Sequence, residues 1–571
     1  MTESVTAAAE DYSQQREFLG HPVGLYVCFT TELWERFSFY GMKYLLLLYL
    51  TKYHLFTDEM GLDVLGSYAG LVYALPLIGG MIADRFLGMR KAVLFGGVSL
   101  SLGHILMAVE GYQAKFYAAG TMLTENLALA SGEVIAAGTV LVEDITMRDT
   151  AALNVFYFAL ALIVMGVGYL KPNITTIVGK LYSQEDPRRD SGFTIFYMGI
   201  NIGSFTATLL CGWLGETYGW SYGFGAAGIG MIIGLITITM GQKYLHGHAE
   251  PTEPEKLKKK FLGPINVEWS IYLLSIPVLG VLWLLVQHEP IVLITQNVFL
   301  IVSIVSLILY SMVHTKKDHN NTLAYSIAAV AILSGIFAVI ANLHPVAGIE
   351  AFAEQALYLS IILIVGFVIY GFLTHYSEEF GRTVVLMILI LSTIVFWALF
   401  EQSAGSMTLY ADRVVDRTLG NTTFTAAQFG SLNAGFIMLL AIPFAALWTW
   451  LAKKNLEPNT PVKFGLGILQ AGLGFGALVF GAQHPNEAGQ VAKIWLVLAY
   501  LLHTTGELCL SPVGLSAVTK LSIGSVVGVS MGTWFLATAL SETVATRIGK
   551  MAAIDTTAGE TADVATALAT Y

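Results

Sequence analysis

The chain has 571 residues, 55% of them hydrophobic and only 12% charged, with a formal net charge of −10 and a mean hydropathy of +0.66. A soluble domain carries about a quarter charged residues, so this composition excludes one and describes a polytopic integral membrane protein. The negative total points to no partner, because orientation in a bilayer follows where Lys and Arg lie.

The first twenty residues are polar and mixed in charge, without the basic region and short apolar core of a cleaved signal. Insertion is therefore expected to rest on the first span. A span needs about 20 apolar residues. Runs near 22–53, 62–87, 90–111, 152–180, 191–215 and 221–243 give a first group, and runs near 267–287, 291–313, 322–342 and 354–375 an intervening one. A last group lies near 383–410, 424–452, 462–482, 490–521 and 525–549. A six-plus-six carrier needs one more span after 549, and 551–571 is too polar until its last few residues, so the last core helix is expected to be missing from the chain.

The domain reading follows: a cytoplasmic segment 1–21, an N-terminal helical bundle 22–243, a linker 244–382 with about four extra spans, and an incomplete C-terminal bundle 383–571. With the N-terminus cytoplasmic, the clusters Arg85/Arg90/Lys91, Lys256/Lys258/Lys259/Lys260, Lys316/Lys317 and Lys453/Lys454 all fall inside, as the positive-inside rule asks. Such a chain sits in the plasma (inner) membrane as a multi-pass protein. Residues 111–150 are interrupted by Glu125, Glu133, Glu143 and Asp144 and read as an external loop with room for an amphipathic helix, a re-entrant segment being the rival.

Only Arg36, Lys43 and Lys171 are bases left within spans, and each needs a reason. In TELWERFSFYGMKY (31–44), Glu32, Glu35 and Arg36 fall at i, i+3 and i+4, with Tyr40 and Lys43 continuing that face. An ionisable group in the membrane costs about 2.5 kcal/mol or more unless it is paired or faces water. This face is therefore expected to line a pathway or a buried network, and an interfacial helix is the bland alternative.

GGMIADRFLGMRK (79–91) closes the second span; its glycines allow close helix approach, and Asp84 and Arg85 are placed to cap a neighbouring helix and pair across the loop. Gly80, Asp84, Arg85, Gly88, Arg90 and Lys91 resemble the loop motif of the major facilitator superfamily, whose role there is conformational. In MGVGYLKPN (165–173), Lys171 precedes Pro172, which weakens the local helix and frees a carbonyl. A snorkelling lysine is the plain alternative. Its candidate acidic partner is Glu507, in HTTGELCLSPVG, while FWALFEQ places Glu401 beside Trp397.

ELWERFSFYG (32–41), the KPN segment, FYMGINIGS (196–204), FWALFEQ (396–402) and GELCLSPVG (506–514) together resemble the proton-dependent oligopeptide transporter family, POT or PTR, over nearly the whole chain. The resemblance implies an all-α membrane fold of the major facilitator type, two six-helix bundles with extra helices between them. It implies proton-coupled symport of di- and tripeptides, with Glu32, Glu35 and Glu401 in proton coupling, Arg36 and Lys171 at the peptide carboxylate and Glu507 at the amino terminus. Tyr40, Tyr73, Asn201, Trp397, Asn433 and Trp534 are implied as pocket lining, and Lys43 with Glu401 as the outer gate; Lys171 with Glu507 would close the inner one. Phe39 stands where the family often has a tyrosine, and Lys43 replaces a common arginine with a point charge.

A zwitterionic peptide suits bases facing an acid, and forming and breaking ion pairs can load and release a proton. The expected partners are peptides, protons and the bilayer, with no nucleic acid, no cofactor and no metal, and the protein is expected as a monomer. Carriers of a drug or of nitrate on the same fold are the rival readings; the first has no use for this charge set and the second none for Glu507. An enzyme is disfavoured because the 12 histidines are scattered without a metal-like or nucleophile–base spacing. The three cysteines, Cys28, Cys211 and Cys509, read as small core residues, and no repeated pore loop suggests a channel.

Overall fold

The computed structural model describes residues 15–129, 134–251, 253–315, 321–343, 352–554 and 564–570. Lipid cannot hydrogen-bond the backbone, so apolar runs close their bonds within themselves as helices. The first group gives α1 (Val23–Lys52), α2 (Asp58–Ile82), α3 (Met89–Met107), α4 (Thr150–Lys180), α5 (Arg189–Tyr218) and α6 (Trp220–Gly241). A short α7 (Pro254–Lys258) leads into the intervening helices α8 (Val267–Val286), α9 (Glu289–Thr315), α10 (Thr322–Leu343) and α11 (Ala353–Thr374). Then come α12 (Glu378–Phe400), a short α13 (Ser406–Arg413), α14 (Ser431–Lys453), α15 (Thr460–Ala482), α16 (Lys493–Leu521), α17 (Val527–Met551) and the seven-residue α18 (Val564–Thr570).

The starts are fixed by side chains that take the free N–H groups of a first turn. Thr57 accepts from Met60, Asp149 from Ala152, Asn266 from Trp269, Ser377 from Phe380 and Asn459 from Val462. Among the described residues thirteen helices are long and apolar enough to cross a membrane. α1 fails that test because Glu32, Glu35, Arg36 and Lys43 lie inside it, and α3 because it opens on Arg90 and Lys91. Both are nonetheless continuous helices at the expected places.

α1 is enclosed by α5, α6 and α2, and α3 packs along α4. The first and last groups meet along two seams, α2 against α17 and α5 against α14. α8 lies against α4 and α2, while α9 lies against α17, α12 and α2. The hairpin of α10 and α11 is outermost, exposing Leu333, Ile362 and Leu373. The end where α1 begins is called proximal below, and the end where α1 finishes distal.

The stretch 111–149 departs from expectation. Its described residues hold no helix; Lys115–Tyr117 pairs antiparallel with Ile145–Met147, Leu127–Ala128 with Val134–Ile135, and Met122 bridges Val140. The reason is in the spacing of the apolar side chains, which brings Leu123, Leu127 and Leu141 together as a small core between extended chains, while Gly120 and Gly138 take the positive φ of 84° their turns require.

Candidate functional site

The charged face of α1 is buried within the helices. Arg36 hydrogen-bonds Glu35 through both arms of its guanidinium, Nε to Oε2 and Nη2 to Oε1 at 2.6 Å, and lies 3.4 Å from Glu32. The three residues are at most 2% exposed. Glu35 thus fills the fork of Arg36, whereas Glu32 keeps a buried oxygen, Oε2, without a hydrogen-bond partner among the described residues. Phe39 has no hydroxyl to offer but presents its ring to two cations, 4.9 Å from the Arg36 guanidinium and 5.8 Å from the Lys43 ammonium, and it stacks on Tyr68.

Lys43 carries the links across the seam. Its Nζ donates to Glu401 at 2.8 Å and to Glu542 at 3.0 and 3.3 Å. The Lys43–Glu401 pair is the one expected. Glu542 is a third member that sequence reasoning passes over; a lone acid within the apolar run of α17 is the signal that could have found it. Tyr73 joins two lysines, its ring 5.9 Å from Lys43 and 4.6 Å from Lys171.

Lys171 does not meet its expected acid. Among the described residues it forms no ion pair with Glu507, and the charges that act on it are those of α1: Arg36, Glu35, Glu32 and Lys43. Glu507 is held instead by Asn433, whose Nδ2 donates to it at 3.0 Å and to Thr504 at 3.1 Å. The two residues belong to opposite seam faces, α4 and α16, so their pairing requires the proximal ends of those helices to approach.

Tyr40 lies one turn beyond Arg36, half-buried, within electrostatic reach of Glu401 and Glu507. Asn201 donates to the Tyr197 carbonyl of its own helix at 3.1 Å. Trp397 is packed edge-on between Phe396 and Phe400, and Trp534 edge-on to Phe464, where Gly514 leaves room for its ring. The structure therefore gathers Arg36, Tyr40, Tyr73, Lys171 and the acids about the seams, while Asn201, Trp397 and Trp534 bond or pack chiefly with their own half.

The two glycine-bearing motifs meet. Pro172 leaves the Gly168 carbonyl without an i+4 donor, and Gly79 packs directly over that carbonyl, where any side chain would collide. Gly80 faces Pro172, and Gly88 takes φ 78° to turn the chain into α3. Asp84 and Arg85 differ from expectation: the π-helical turn Ala83–Leu87 leaves both exposed, with no ion pair among the described residues. The pairing falls instead to Arg90, which binds Glu250 and donates to Gln242 at 2.8 Å, and to Lys91, 2.6 Å from Glu268.

At the distal end the halves are latched. Arg413 grips Asp58 with two bonds of 2.6 Å, Lys550 reaches Asp63 at 2.5 Å, and Lys52 reaches Asp412 at 2.6 Å. A cavity of about 480 Å³ opens at the other end, beside the proximal turns of α4 and α5, lined by Thr175, Thr176, Lys180 and Arg189 among others.

The chain matches the family model described as the POT family over residues 90–262 and 297–564. It is 33% identical over 542–549 aligned residues to relatives including the peptide transporter YePEPT of Yersinia enterocolitica subsp. palearctica, where 94% of this chain and 88% of the relative are covered. To the di-/tripeptide transporter of Lactococcus lactis subsp. lactis it is 30% identical, with 94% and 90% covered. It superposes on the crystal structure of a peptide transporter POT in complex with sulfate with a TM-score of 0.65 and 31% identity, covering 94% of this chain and 90% of that one.

Proposed function

The chain belongs to the POT family, and from that premise we propose that it imports di- and tripeptides together with protons by alternating access, its N-terminus and proximal end on the cytoplasmic side. Relatives named as peptide and di-/tripeptide transporters support the substrate class. The observation that carries the reading is the division of charge: among the described residues Lys171, beside Arg36, forms no ion pair with an acid across the seam, and Glu507, held by Asn433, forms none with a base. A peptide carboxylate answers Arg36 and Lys171, and its ammonium answers Glu507.

In the latched state described above the distal side is closed through Lys43, Glu401 and the Asp58–Arg413 pair, and the proximal side is free to receive or release peptide. Glu32, Glu35 and Glu401 are the acids through which the proton acts; Glu32, with one buried oxygen unbonded, is the member of the α1 pair with room for a proton, and Glu35 positions Arg36. The variable middle of a peptide meets Tyr40, Tyr73, Asn201, Trp397, Asn433 and Trp534.

The test is uptake of labelled dialanine into liposomes holding the purified protein, with an inward proton gradient and with or without excess tripeptide. Gradient-dependent uptake that tripeptide suppresses is expected. Uptake of nitrate in place of dialanine would replace this reading, and accumulation by Glu401→Gln equal to that of the unaltered protein would remove Glu401 from proton coupling.

A further inference from the structure

Lys43 is one ammonium between two carboxylates. Glu401 reaches it from the end of α12 at 2.8 Å, and Glu542 reaches it from α17 at 3.0 and 3.3 Å. Their side chains are 3%, 13% and 5% exposed. The charges facing the cluster from other elements do not supply a second cation in contact with either acid: Lys171 of α4 lies across the Tyr73 ring, 4.6 Å from it, and among the described residues forms no ion pair with Glu401 or Glu542. α1 adds Tyr40 and Tyr44 beside Lys43, with Arg36 already taken by Glu35 and Glu32; α2 adds Tyr68 and Tyr73; α16 adds Glu507, within reach of Glu401. On α17 itself the nearest base, Arg547, is bound to Glu289 of α9 at 2.9 Å. With both acids ionised the cluster would hold an uncompensated negative charge away from water, which costs several kcal/mol. Two carboxylates sharing one site resolve this by keeping one proton between them.

Beside the cluster is a cavity of about 10 Å³ lined by Lys43, Gly66, Glu401, Gln402, Glu542 and Thr546, scarcely one water in size. It lies on the distal side of the seam, where Gly66 gives Thr546 its place and the Thr546 hydroxyl reaches the Leu62 carbonyl. Opening the distal latch would widen it to water.

We propose that Glu542 is a second proton-binding residue of the carrier, acting with Glu401 across Lys43. When the distal side opens, the Glu542 carboxylate takes a proton from water. When it closes, the resulting carboxyl donates that proton as a hydrogen bond to the Glu401 carboxylate, whose charge Lys43 balances, and the closed cluster is neutral. When peptide leaves proximally, water that enters behind it reaches the cluster past Glu401, its most exposed member, the proton passes to that proximal water and the Glu542 carboxylate re-forms. This rests on the proposed proton-coupled symport, to which it adds one proton per cycle beyond those carried elsewhere.

The experiment compares the unaltered protein with Glu542→Gln, which keeps the amide able to bond Lys43, and with Glu542→Ala. Peptide counterflow, which needs no net proton movement, reports whether each variant is folded and binds. The expected result for Glu542→Gln is counterflow retained, one proton fewer per dialanine in the balance of proton and peptide gradients, and loss of an infrared carboxyl band present in the unaltered protein. Unchanged stoichiometry with an unchanged carboxyl band would make Glu542 a structural partner of Lys43 only and overturn the proposal. The infrared arm needs no peptide, so an unaltered protein that fails to transport dialanine sinks the symport reading and still leaves Glu542 tested.

Discussion

Arg36 has its planar fork filled by Glu35 while its ring-facing side rests on Phe39, so the guanidinium is oriented before any substrate arrives. Lysine keeps the charge and loses the fork. Arg36→Lys should raise the half-saturating dipeptide concentration by about ten- to a hundredfold, the equivalent of about 1.5–3 kcal/mol for a charged hydrogen bond, measured by uptake kinetics. A second residue-scale prediction concerns His54, just past the distal end of α1. Its ring is fully buried against Tyr49, Tyr53 and Phe56, neither nitrogen is bonded among the described residues, and Arg148 binds the carbonyls of His54 and of Leu55, a residue at φ 53°. Burial, with Arg148 adding to it, pushes the imidazole down to about 4. The unfolded chain binds this proton near 6.5 and the folded chain resists it, so the stability it contributes is full above about pH 6.5 and falls as pH drops toward 4, by ~3 kcal/mol in all. His54→Phe should reduce the fall in thermal midpoint between pH 7 and 5, and an unchanged fall would refute the assignment.

At the scale of elements, the crossing of α2 and α4 depends on two glycines that look equivalent in sequence and are not. A Cβ at Gly79 would land on the Gly168 carbonyl, whereas one at Gly80 would sit 3.5 Å from Pro172, an ordinary contact. Gly79→Ala should therefore cost about 1–3 kcal/mol as an overpacked interface and Gly80→Ala little, which thermal unfolding in detergent would separate. The helices themselves were legible from apolar runs because each must satisfy its own backbone in lipid; all fifteen expected spans correspond to helices. The segment 111–149 was not, because outside the bilayer water can bond the chain and nothing forces a helix. Its small ladders depend on which distant strands find each other, as Lys115 finds Met147.

For the whole molecule, the distal latch, with Lys171 and Glu507 forming no ion pair among the described residues, describes one face closed and the other unlocked. Asp58→Asn should release Arg413 and raise the distally open population about tenfold or more, on the order of 1.5–3 kcal/mol for a charged bond. Spin labels on Met60→Cys and Leu419→Cys, both at exposed positions, would read this as a longer distance; the native Cys28, Cys211 and Cys509 are buried and should not react. No change in the distance would mean that the latch does not set the equilibrium. The sequence by itself determined the helices, the charged face of α1 and the motifs, since hydrophobic length and periodicity are local properties of the chain. Only the tertiary structure decided who pairs with whom: that Lys43 takes Glu542 as well as Glu401, that Arg413 takes Asp58, that Arg90 and Lys91 do the work expected of Asp84 and Arg85, and that Lys171 stands apart from Glu507. Ion pairs between residues hundreds of positions apart depend on how two groups of helices lean together, and that inclination leaves no mark in the periodicity of either one.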